Sequence, residues 1–71
     1  MNKPIFTLQQ QVQDALAEIN ELRGAQIDVL DNNGIVTLRG IVPNVEARER
    51  AEAIARGMDG VISVINELDV V

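Results

Sequence analysis

The sequence predicts an α+β fold: a two-layer αββαβ sandwich with two helices packed on one face of a three-stranded mixed sheet. Three observations carry this. Apolar residues recur at helical spacing over 8–22 and again over 47–58. Residues 26–31, 35–42 and 61–71 alternate with the period of two that marks strands. Between the first two alternating runs stands Asn33-Gly34, the strongest short-range hairpin signal. Amphipathic helices and a sheet with one apolar face bury those surfaces by stacking in layers.

Residues 1–6 read as a flexible N-terminal arm, in which Pro4 biases Lys3 towards extended backbone. Residues 7–71 make up the single domain. Thr7 is an N-cap, and Gln10 three residues later completes a capping box. The first helix is expected over about residues 7–23. Leu8, Val12, Ala15, Leu16, Ile19 and Leu22 form its buried stripe, and Gly24 is its stop signal.

In the first strand Ile27 and Val29 oppose Gln26, Asp28 and Leu30; in the second, Val36 and Leu38 oppose Ile35, Thr37 and Arg39. A two-residue loop at Asn33-Gly34 pairs Val29 with Leu38 and Asp28 with Arg39, and a four-residue loop keeps the same faces. A three-residue loop sets Leu30 against Val36 and mixes the faces. Pro43 ends the second strand. Asn44 caps a second helix, with Glu46 and Glu49 in its first turns. Its stripe of Ala47, Ala51, Ile54, Ala55 and Met58 is small, which predicts close approach to the sheet. Gly57 and Gly60 bracket its exit.

The closing strand, 61–71, sets Ile62, Val64, Asn66, Leu68 and Val70 against Ser63, Ile65, Glu67, Asp69 and Val71. An irregularity is expected at Asn66, whose amide sits on the apolar face. With the second strand in the centre, the first pairs antiparallel and the third parallel through a right-handed crossover. The alternative puts the first strand in the centre of an antiparallel sheet.

The 71 residues contain no cysteine or histidine, and Phe6 is the only aromatic. Disulfides and thiolate metal sites are thereby excluded, and no cofactor is expected. A chain this short buries only about 60% of its unfolded surface, so stability rests on Ile, Val, Leu and Ala. Six basic and eleven acidic residues give a net charge of −5, which argues against unspecific attraction to nucleic acid or anionic lipid. No apolar run approaches the ~20 residues of a membrane-spanning helix. As written, the chain carries no export signal and reads as cytoplasmic.

Nothing in the sequence assembles an acid, base and nucleophile, so no catalysis is expected. Thr7 is a cap, Thr37 lies on a strand surface, and the carboxylates read as solvated. Asp31-Asn32-Asn33-Gly34 has the start of a calcium loop without its remaining ligands. Gly57-Met58-Asp59-Gly60 has the spacing of a nucleic-acid-clamping GxxG, but it precedes a strand and contains an acid, so nucleic acid is not an expected partner.

The outer face of the sheet holds the candidate contact residues: Leu30, Ile35, Thr37, Arg39 and Ile65. Scattered exposed aliphatics are ordinary. Grouped on a face that no second layer covers, they suggest a surface for a protein partner, a membrane or a second copy of the chain. Exposed strand edges offer strand addition as another route.

Three runs then carry a resemblance: Asn33-Gly-Ile-Val-Thr-Leu-Arg-Gly-Ile-Val, Glu46-Ala-Arg-x-x-Ala51-x-x-Ile-Ala55, and Gly60-Val-x-x-Val64-x-Asn66-x-Leu68-x-Val70. Over about residues 8–71 the chain is similar to the BON domain, named for bacterial osmotically inducible and nodulation proteins. The resemblance implies an αββαβ fold, no catalysis, and a binding or attachment role at a phospholipid membrane surface or a protein partner. Osmotic-stress, envelope and transport-associated settings are implied, with a periplasmic or envelope location if a leader has been removed. Asn33, Gly34, Gly40, Gly60 and Asn66 fall at turn and motif positions, which the resemblance makes matters of backbone shape. The runner-up reading is a self-associating domain that forms a homo-oligomer through the exposed sheet face.

Overall fold

A computed structural model describes residues 7–71; the expected arm over residues 1–6 lies outside the described residues. The order of elements is α1 (Leu8–Ala17), a 3₁₀ turn (Asn20–Leu22), β1 (Gln26–Asn32), β2 (Ile35–Val42), α2 (Val45–Arg56) and β3 (Ser63–Val70). The strands form one sheet in the order β1-β2-β3. β1 runs antiparallel to β2, and β3 runs parallel to it. The mixed sheet with β2 central is therefore the one adopted, and the antiparallel alternative is excluded.

The first helix is shorter than its periodicity predicts. Thr7 caps it, its hydroxyl accepting from the Gln10 amide at 3.1 Å. The capping box is only half built, because the Gln10 side chain donates instead to Asp14 Oδ1 at 2.9 Å. The α-helix stops at Ala17, and Ile19 is extended at φ −86°, ψ 124°. Asn20 favours turns over helix interiors. The chain re-forms there as a tight 3₁₀ turn that places Leu22 in the core. The apolar spacing thus continues through Leu22 although the helix does not.

The hairpin follows the two-residue reading. Asn32 pairs with Ile35, Val29 with Leu38 and Asp28 with Arg39. Asn33 (φ 53°) and Gly34 (φ 92°) both take left-handed backbone, as the tight turn demands. The Gly34 amide donates to Asp31 Oδ1 at 2.9 Å.

Both helices lie on the face that carries Val29, Val36, Leu38 and Leu68. Val12 and Leu16 of α1 and Ala47, Ala51 and Ala55 of α2 close the core, and among the described residues no buried one is polar. The three alanines of α2 are wholly buried, so the expected close approach of this helix is realised. Asn44 caps it by accepting from the Ala47 amide at 2.8 Å. Replacing Asn44 by alanine is expected to lower stability by about 1 kcal/mol, read as the shift in a urea-unfolding free energy. No loss at all would show that the helix is held by its alanine face alone.

β3 differs from its reading in two ways. It runs regularly through Asn66, with one-to-one pairing from Ile35–Ser63 to Val42–Val70. The expected irregularity is absent because the Asn66 amide is satisfied in place. Nδ2 donates to the Arg48 carbonyl oxygen (3.2 Å) and to Glu52 Oε1 (3.1 Å), while Oδ1 accepts from the Leu68 amide (3.1 Å). Ile62, read as core-facing, precedes the strand and is 78% exposed. Val70, at the far end, is also exposed.

Candidate functional site

The pairing fixes how the outward side chains line up. Because residues opposite one another share a face, the outer surface consists of four cross-strand rows. From the hairpin end these are Asn32–Ile35–Ser63, Leu30–Thr37–Ile65, Asp28–Arg39–Glu67 and Gln26–Ile41–Asp69. The first two rows hold Leu30, Ile35 and Ile65, all exposed, around a half-buried Thr37. The last two hold three carboxylates and one guanidinium. The hairpin end of the face is therefore uncharged and mainly aliphatic, whereas the far end carries all its charges, with exposed Ile41 between Gln26 and Asp69.

Ile62 enlarges the aliphatic end, and its position follows from the turn. Its amide and that of Ser63 both donate to the Gly34 carbonyl oxygen, at 2.7 and 3.3 Å. A β-carbon on Gly34 would stand 2.9 Å from the Gly60 carbonyl oxygen and from Ile62 Cδ1. Glycine at 34 thus lets the start of β3 close over the turn. Ile62 therefore stands exposed beside the turn, at the same end of the sheet as Leu30, Ile35 and Ile65. Alternation alone sets Ile62 facing the core; it is exposed because it lies before the first paired position, which periodicity does not reveal.

Arg39 is the only cation in the four rows. Its Nε donates to Glu67 Oε1 at 2.7 Å, an exposed pair worth little in stability. Asp28 faces the same arginine across the hairpin, yet it has no ion-pair partner among the described residues.

The motif glycines Gly34, Gly40 and Gly60 all take positive φ. Gly40, at φ 144°, meets the first strand closely: a β-carbon there would overlap the Gln26 carbonyl oxygen and lie 2.9 Å from its carbon. Gly60 takes φ 95° in the exit from α2. Within the Gly57-to-Gly60 loop, Gly57 is the C-cap of α2 and Asp59 is exposed. No group of three or more His, Cys, Asp or Glu side chains among the described residues is placed to hold a metal ion. Nor is any described helix long and apolar enough to cross a membrane.

The glycine-bounded strand, the parallel closing strand and its Asn66 make one αββαβ unit, and the sequence profile of the BON domain matches residues 6–71. The chain belongs to the BON domain family. It is similar to the outer membrane lipoprotein DolP of Haemophilus influenzae, with 35% identity over 65 residues. That alignment covers 90% of this chain and 34% of the relative, so the chain spans about a third of that protein's length.

Proposed function

We propose that this BON domain is a non-enzymatic docking module that rests its hairpin end on a phospholipid surface of the cell envelope. The observation that carries the reading is that Leu30, Ile35 and Ile65 on the outer face, and Ile62 beside the turn, are all exposed at the hairpin end. The relative's description as an outer membrane lipoprotein supports an envelope setting. Row geometry supports an end-on approach. Each row is two residues, about 7 Å, further along the strands, so dipping two rows leaves Asp28, Arg39 and Glu67 among headgroups.

The magnitudes suit reversible contact. Burying what remains exposed gains about 1 kcal/mol for each of Leu30, Ile35 and Ile65 and about 2 kcal/mol for Ile62. A total on the order of 5 kcal/mol corresponds to weak, sub-millimolar docking, not anchorage. Four side chains also fall well short of the ~800 Å² per partner of a standard protein interface, which disfavours a stable dimer through this patch. Because the next rows are acidic, attraction to anionic headgroups does not drive the contact.

Co-sedimentation with vesicles tests this. The chain is expected to bind neutral phosphatidylcholine vesicles at both low and high salt, and anionic vesicles more weakly at low salt than at high. Ile35→Lys together with Ile62→Lys should cut binding at least tenfold, while circular dichroism shows the fold retained. Failure of the parent chain to bind neutral vesicles, or undiminished binding by the double variant, would overturn the reading.

A further inference from the structure

The two edges of the sheet are built differently. In β3 the backbone groups alternate between β2 and the free side. Val71 donates to the Val42 carbonyl oxygen, so the odd-numbered residues face β2, and Val64, Asn66, Leu68 and Val70 face outward. In the middle of that row the Leu68 amide is already taken by Asn66 Oδ1. The Asn66 side chain is itself fastened to α2 through Arg48 and Glu52. An incoming strand would lose a central donor and meet that side chain. This is the manner in which proteins blunt a sheet edge.

β1 has no such guard. A two-residue turn is closed by a hydrogen-bonded pair, here Asn32 with Ile35, and the pairs Leu30–Thr37 and Asp28–Arg39 repeat it. The backbone groups of Ile27, Val29 and Asp31 therefore point away from β2. They have no other partner among the described residues. The Asp31 carboxylate folds back to the Gly34 amide, away from that line. Beside this open row stands Asp28, whose natural counter-ion Arg39 is held by Glu67 on the far side.

We infer that the free edge of β1 takes up an extended segment of another protein, in which aliphatic and basic side chains alternate, as a fourth strand. Ile27, Val29 and Asp31 supply the main-chain hydrogen bonds. A lysine or arginine of the segment falls opposite Asp28 on the outer face, and its aliphatic residues fall opposite Ile27 and Val29 on the core-facing side. A second copy of the chain fits poorly. β1 itself, Gln26–Asn32, contains no lysine or arginine, so a second β1 brings no cation to Asp28, and the register centred on Asp28 sets it against its own copy. Like charges directly opposite destabilise such pairs.

The test is amide hydrogen exchange by NMR on the whole chain with a synthetic eight-residue lysine–valine alternating peptide, in the absence of lipid. Millimolar peptide is expected to slow exchange at Ile27, Val29 and Asp31 at least fivefold and to leave Val64 and Val70 unchanged. The same peptide N-methylated at alternate residues, or with glutamate in place of lysine, should give no protection. Asp28→Asn should weaken binding severalfold with the spectrum otherwise intact. Protection at β3 instead of β1, no protection at all, or equal binding of the glutamate peptide would overturn the inference. So would β1 protection that grows with protein concentration without peptide, since it marks a second copy as the occupant. Because no lipid is present, this outcome is independent of vesicle binding.

Discussion

Gly40→Ala is expected to abolish most of the stability of this domain, with a loss of at least about 3 kcal/mol by urea unfolding. Two effects add. At φ 144° the residue has backbone that an L side chain rarely takes, a strain of roughly 1–2 kcal/mol. The added carbon would also overlap the Gln26 carbonyl oxygen, and backbone cannot swing aside as a side chain does. Relief requires the start of β1 to move off β2, which breaks the antiparallel pairs there. Gly24→Ala separates the effects. Its φ is 79°, but nothing lies within 4 Å of the added carbon, so only the strain of about 1 kcal/mol is expected. Similar losses for the two variants would show that β1 shifts freely at this end.

Leu38→Ala is expected to cost about 3–4 kcal/mol and to lower the thermal midpoint by well over 10 °C. Leu38 is fully buried in the central strand, between Val29 and Asn66 in its row. Truncation leaves a cavity beneath α2, whose buried alanines are too small to fill it. Total stability for a chain of this size is only about 4–10 kcal/mol, so one such cavity removes much of it. Thermal unfolding followed by circular dichroism reads the effect. A loss below about 1.5 kcal/mol would mean that the helix settles into the space.

Patterns confined to neighbouring residues are the ones that could be read from the chain. Asn33-Gly34 determined the turn because both positions need left-handed backbone. With the turn set, parity placed Val29 opposite Leu38. The small face of α2 was equally plain, since three alanines at a spacing of four leave a groove only a close sheet can fill. The failures lie where a distant partner decides. Ile19 to Arg23 keep helical spacing, yet Leu22 reaches the core through a 3₁₀ turn. Asn66 signalled a break on the apolar face, and groups eighteen and fourteen positions away in α2 satisfy it instead.

The candidate surface divides the same way. That Leu30, Ile35 and Ile65 share a face follows from alternation, and the structure places all three exposed at the hairpin end. Ile62 joins them only because the β3 chain closes over Gly34, a contact 28 residues apart in sequence. The choice of Glu67 over Asp28 by Arg39 depends on which side chain offers the better approach. Both stand directly opposite it in register, so pairing alone does not decide.

The aliphatic end is contributed by three strands, with Leu30 from β1, Ile35 from β2 and Ile65 from β3, and Ile62 just before it. No stretch of the unfolded chain reproduces it. Recognition and folding are therefore thermodynamically linked: whatever settles on this end binds the folded chain alone, and by mass action raises its population over the unfolded one. In a domain with so small a margin, occupancy becomes a source of persistence. On the proposed docking reading, a bound copy is expected to outlast a free one wherever the unfolded chain is cleared.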